Sequence, residues 1–175
     1  MVEDGDDVNY LTSEEKPRRP LVDPKHGNNY FLTKVEALKR SENIHKITYR
    51  LFITLVKGGD SFLGHVIIKF GLNHTTSNDP DKDMLFIDYK GRNVKFFKVN
   101  GVYVDDRRVF LKQRLYIPQE LQKVGATNTV EIFFESEYVK NCAGVHYFKD
   151  LADNEEYIYT NLEPASAHVW FPCFD

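Results

Sequence analysis

Apolar and polar residues alternate with a period of two along most of the chain after residue 45. Ile47, Tyr49, Leu51, Ile53 and Leu55 alternate with Thr48, Arg50, Phe52 and Thr54. Phe62, Gly64, Val66, Ile68 and Phe70 repeat the pattern beyond the turn signal Lys57-Gly-Gly-Asp60. A period of two places successive side chains on opposite faces of a half-buried strand. Further strands are predicted at 84–89, 93–99, 102–105, 108–117, 129–136, 145–149 and 156–161. The polar stretch from Asn73 to Asp83, with Asn78-Asp-Pro80 inside it, reads as a loop. Lys90-Gly91 and Asn100-Gly101 suit tight hairpins, because glycine accepts positive φ. Helical grammar occurs once. Thr33-Lys-Val-Glu36 has the form of a capping box, and Val35 and Leu38 follow on one face, which predicts a helix over 34–42. No repeat of fixed period is present. Many short strands at regular spacing predict an all-β fold, either a β-sandwich or a curved antiparallel sheet.

Residues 1–30 break this pattern. They carry three prolines, two glycines and no apolar periodicity, which predicts a disordered or extended arm ahead of one β domain over 31–175. If the arm orders against a partner, Tyr10, Leu11, Leu21 and Val22 are its apolar contacts. The arm also accounts for the charge. It holds seven acidic and four basic groups, so the net −3 of the whole chain is its own, and the remaining 19 acidic and 19 basic groups cancel. No basic face for nucleic acid or an anionic membrane is expected from such a balance. No apolar run approaches the ~20 residues of a membrane helix, and the acidic N-terminus does not resemble a signal peptide. Two cysteines, Cys142 and Cys173, are too few for a disulfide framework. The expected location is cytoplasmic.

Local motifs supply little chemistry. The histidines His26, His45, His65, His74, His146 and His168 form no i, i+4 pair, and HExxH is absent. There is no glycine-rich phosphate loop and no GxSxG elbow. Cys142 and Cys173 read as packing thiols, since no neighbouring group is arranged to lower their pKa. Asp105-Asp106 beside Arg107-Arg108 reads as a charged hairpin end. No catalytic or metal-binding residue is assigned to this chain, and no cofactor.

The last nineteen residues, YIYTNLEPASAHVWFPCFD, carry a longer signature. They resemble the stretch Y-x-Y-T-Q-F-E-P-x-x-A-R-x-x-F-P-C-F-D-E-P of the zinc aminopeptidases of the aminopeptidase N and puromycin-sensitive aminopeptidase family. Upstream landmarks agree in order. Asn29-Tyr-Phe-Leu-Thr-Lys-Val-Glu-Ala37 resembles N-L-T-x-x-E-A of a cytosolic branch. Ile47-Thr-Tyr-Arg-Leu51 with Phe62-Leu-Gly-His-Val66 resembles Y-x-L-x-L…F-x-G-x-V, Val99-Asn-Gly101 matches V-N-G, and Gly144-Val-His-Tyr-Phe148 resembles G-L-H-R-F. The resemblance covers residues 29–175.

It implies the N-terminal saddle-shaped β domain that packs over a thermolysin-like catalytic domain. The zinc motif and the GxMEN motif of that domain do not occur in this sequence, so zinc belongs to the family's catalytic domain. The chain also stops at Asp175, before the family's E-P and the last saddle strands, and the domain is expected to be truncated. By resemblance, Glu163 takes the place of the glutamate that binds the substrate's free α-amino group. Asn161 takes the place of a glutamine lining the first substrate pocket, one methylene shorter. Ser166 and His168 stand where the family has Asp and Arg, so an ion pair between those two would be lost. Three functions follow as expectations: the substrate-anchoring domain of a zinc aminopeptidase, inactive by itself; a stand-alone interaction module within a larger assembly; and a self-assembling structural protein. Peptide substrate is expected only together with a catalytic domain. Protein binding or self-association is expected through Trp170, Phe171 and Phe174, which lack following sequence to cover them.

Overall fold

The longest alternating segments become the longest strands. A computed structural model of the chain describes residues 32–78, 83–104, 110–111, 113–140 and 144–175. The acidic arm, Cys142, His26 and the 105–108 charge cluster lie outside the described residues. Helix α1 (Lys34–Asn43) leads into β1 (Ile44–Thr54) and β2 (Ser61–Leu72), followed by β3 (Phe86–Asp88), β4 (Asn93–Val99) and β5 (Val102–Tyr103). Next come β6 (Phe110–Leu111), β7 (Arg114–Tyr116), β8 (Thr127–Glu137), β9 (Gly144–Lys149), β10 (Glu156–Asn161) and the single turn of α2 (Ala167–Trp170).

All strand pairs are antiparallel, in a five-stranded sheet β1-β2-β8-β4-β5, a three-stranded sheet β3-β7-β6 and the hairpin β10-β9. The all-β expectation holds, with no closed barrel among the described residues. Along β2, Phe62, Gly64, Val66, Ile68, Phe70 and Leu72 are buried; across the register, β8 buries Val130, Ile132 and Phe134. The core is continuous with Ile87 and Leu115 of the three-stranded sheet and Val145 of the hairpin. Each such side chain contributes roughly 1.5–3 kcal/mol on burial, so the five-stranded sheet is anchored along one face only. No other described residue covers its other face.

Two local expectations are corrected. The predicted strand 108–117 is a hairpin, β6 and β7, reversed near Gln113, which adopts φ 66°. A glutamine in the left-handed region leaves no trace in composition. Lys90-Gly91 joins β3 to β4, which belong to different sheets, so it crosses between layers and closes no hairpin. Asn100-Gly101 does close one, with φ of 51° and 88° between the paired residues Val99 and Val102.

The predicted helix is present as α1, but the face carrying Val35 and Leu38 is the outer one. Val35 and Leu38 are 61% and 52% exposed. The inward stripe is polar instead: Glu36, Arg40 and Asn43, spaced i, i+4, i+7. Glu36 forms a two-point pair with Arg114 at 2.6 and 3.1 Å, Arg40 meets Asp88 at 2.7 Å, and the Asn43 side-chain oxygen accepts from the Asn73 and His74 amides. The predicted capping box is formed, with Thr33 Oγ1 accepting from the Glu36 amide and Glu36 accepting from the Thr33 amide.

Burial works to raise the Glu36 carboxyl, but hydrogen bonds and charge from Arg114 and the Thr33 amide and hydroxyl outweigh it, and the pKa falls below the usual 4.5. A depressed carboxylate pKa adds stability above its unfolded value that is lost as pH falls through the folded value. Urea unfolding between pH 6 and pH 3 should therefore show a steeper acid loss for the wild type than for Glu36→Gln. Parallel pH profiles for the two would refute this role.

Candidate functional site

Both residues singled out by resemblance lie where β10 ends. In the hairpin register Tyr157 faces Phe148, Tyr159 faces His146, and Asn161 faces Gly144. Asn161 closes the strand and is exposed. Glu163 follows in a turn, ahead of α2, with a cis peptide to Pro164. The Leu162 carbonyl accepts from the Ser166 amide at 2.9 Å, which closes this turn. The Glu163 carboxylate is exposed and makes no hydrogen bond or ion pair among the described residues. It stands as a free negative charge on a fixed turn.

The turn is fixed from several sides. Gly144 has φ 101°, and a Cβ there would come within 2.8 Å of Val169 Cγ1, so the start of β9 and α2 touch closely. The Trp170 carbonyl accepts from Ser136 Oγ at 3.0 Å, and the His168 carbonyl from the Lys90 amide at 2.8 Å. His168 Nδ1 lies 2.5 Å from Asp175 Oδ2, and the His168 amide donates to the same oxygen. The Arg and Asp of the resembled motif are both replaced here. His168 takes its partner from the C-terminal Asp175 instead of from position 166.

The C-terminal aromatic residues are not the open surface that the sequence suggested. Trp170, Phe171 and Phe174 are half-buried and pack against the core. Phe171 meets Tyr49 edge-on at 5.9 Å and Phe174 meets Phe70 at 5.2 Å. Cys173 and Asp88 exchange backbone hydrogen bonds at 2.9 and 3.0 Å, adding the terminal segment to β3. Burial, with the charges of Asp175 and Asp88, pushes the Cys173 thiol well above its usual range. It is a packing thiol.

Sequence reasoning missed the wall leading to this turn. Tyr157, Tyr159 and Asn161 share one face of β10, opposite Phe148 and His146 on β9. Tyr157, Tyr159 and Phe148 are exposed, while His146 stacks on Tyr159 at 4.7 Å with rings 10° apart. His146 Nδ1 is buried without a partner among the described residues. The signal was present as Y-x-Y opposite H-x-F, with the opposite face of the hairpin occupied by Val145 and Ile158. An aromatic wall ending in an amide and a free carboxylate can contact an apolar side chain and hold a cation. Among the described residues no group of three or more His, Cys, Asp or Glu is placed to hold a metal ion, and no helix is long and apolar enough to cross a membrane.

No family model matches the chain. Over 146 residues it is 24% identical to aminopeptidase N of Streptomyces lividans, a match covering 82% of this chain and 16% of that protein. The chain therefore spans about a sixth of the relative's length. This supports an aminopeptidase N-like relationship for an all-β chain.

Proposed function

We propose that this chain is the N-terminal, substrate-anchoring β domain of a zinc aminopeptidase, with Glu163 as the group that holds the peptide's ammonium. The exposed, unpaired carboxylate on its braced turn is the observation that carries the reading. A carboxylate in a closing pocket gives a charge-assisted hydrogen bond to an ammonium and fixes the register of the peptide. Asn161 and the aromatic face of β10 then border the first side-chain pocket. In this reading zinc and hydrolysis are assigned to a catalytic domain, as the resemblance implies, and no chemical step is assigned to this chain. The work of this domain is positioning. A cytoplasmic location belongs to the same proposal.

The test is a chimera in which residues 1–175 replace the matched segment of Streptomyces lividans aminopeptidase N. Turnover of an alanyl or leucyl chromogenic substrate is expected for the chimera and none for the 175-residue chain alone. A folded, zinc-loaded chimera without turnover, or zinc-dependent turnover by the chain alone, would overturn the assignment. A second reading, a non-catalytic interaction module, is favoured by the open outer face of the five-stranded sheet. Light scattering over a wide concentration range separates that reading from self-assembly: a module without its partner stays monomeric, whereas growth in mass with concentration favours a self-assembling protein.

A further inference from the structure

The open face of the five-stranded sheet carries an aromatic row that runs from one edge to the other. Phe52 of β1 is paired with His65 of β2, His65 with Phe133 of β8, and Phe133 with Phe96 of β4. Phe52 and His65 stack at 6.0 Å, His65 and Phe133 lie at 6.2 Å, and Phe96 meets Tyr103 of β5 at 5.4 Å. Phe52 is 54% exposed, Phe133 36% and Tyr103 70%. Leu63 and Ile67 point to the same side. Cross-strand aromatic contacts stabilise a sheet, but a continuous apolar band facing water is unusual on a soluble surface and marks a binding face.

The charges beside the row are uneven. On one flank Arg92 and Lys95 are neutralised by Asp60, Glu135 and Glu137. On the other stand Arg50, Lys69 and Lys98, none with an ion pair among the described residues. Lys98 lies over the Tyr103 ring at 4.3 Å, and the acid nearest in register, Glu131, is engaged by His65 at 3.0 Å. An occupant should therefore combine apolar side chains with several carboxylates.

The chain contains such a segment. Glu3–Glu15 holds six acidic residues and no basic one, with Val8, Tyr10 and Leu11 at its centre. The sixteen residues from Lys16 to Phe31 can span up to roughly 53–58 Å when extended. A domain of this size has a radius of gyration of about 15 Å, so the tether reaches any part of its surface. We propose that Glu3–Glu15 docks in cis on the aromatic row, its carboxylates against Arg50, Lys69 and Lys98 and its apolar residues against Phe52, Phe133 and Phe96. The inference stands apart from the reading of Glu163.

Carbodiimide cross-linking of the full chain, which joins carboxylates directly to lysines, tests the contact. Cross-links from Glu3–Glu15 are expected on Lys69 and Lys98 in preference to the exposed Lys57 and Lys149, and should disappear in 1 M salt. Equal yields on all four lysines would overturn the proposal. So would cross-links joining isotope-labelled to unlabelled chains in a mixture, which would assign the face to a second copy. Hydrogen exchange provides a second readout. Amides within 3–15 should exchange about tenfold slower in the wild type than in the variant Arg50→Glu/Lys69→Glu/Lys98→Glu. Identical exchange in the two chains would be fatal to the idea.

Discussion

Phe134→Ala should destabilise the fold by about 3–5 kcal/mol, the range for removing a buried aromatic side chain. Phe134 lies on β8, between β2 and β4, and is fully buried. Its ring meets Tyr89 at 5.4 Å, and the Tyr89 hydroxyl in turn donates to the Glu135 carbonyl at 2.6 Å. The space for the ring is made on the facing strand. Gly64 is the register partner of Phe134, and a Cβ at Gly64 would sit 2.1 Å from Phe134 Cζ. This accounts physically for a glycine in the middle of a strand, where it otherwise weakens the element. Gly64→Val should therefore be strongly destabilising through overpacking. Combined with Phe134→Ala, the valine has room, so the double variant should be more stable than the sum of the two losses predicts. Denaturant unfolding of the four chains measures this. Strict additivity would show that Gly64 and Phe134 do not share one space.

That pair also shows what the sequence made legible. Alternation along 62–70 and 129–136 located the two central strands and their buried faces, because both are flanked by strands and, among the described residues, covered on one side only. Where strands carry apolar residues on both faces, alternation lost its meaning. Phe52 breaks the pattern of β1 and proves to belong to the outer row, while Tyr49 turns inward to the C-terminal segment. The helix was located by its cap, yet its inward stripe of Glu36, Arg40 and Asn43 is held by ion pairs and amide bonds that hydropathy cannot register. The Trp170–Phe174 segment looked uncovered because its partners, Tyr49, Phe70 and Asp88, are remote in sequence. Glu163 and Asn161 were visible only through resemblance. The residues adjoining them in sequence carry no pattern that marks an anchor, because exposure and the lack of an internal partner are properties of the folded turn.

Glu163→Gln in the chimera should lower kcat/KM by tenfold or more for substrates with a free N-terminus, and leave N-blocked substrates unaffected. The carboxylate is exposed in this chain and has no internal partner among the described residues to lose, so the substitution should not disturb the turn. The bracing contacts are made by neighbours: Gly144 against Val169, Ser136 to Trp170, and His168 to Asp175. Unfolding midpoints of the two chimeras should therefore coincide. In the proposed enzyme, closure of a catalytic domain over the hairpin would desolvate the substrate ammonium, and removing its counter-charge would strand it. Truncating one member of such a pair costs on the order of 2–5 kcal/mol, which is more than the ~1.4 kcal/mol that a factor of ten requires. Because a misregistered peptide loses alignment as well as affinity, kcat should fall together with any rise in KM. A change in KM alone would reduce Glu163 to uniform binding. Equal kcat/KM for the two chimeras would show that it only shapes the turn before Pro164.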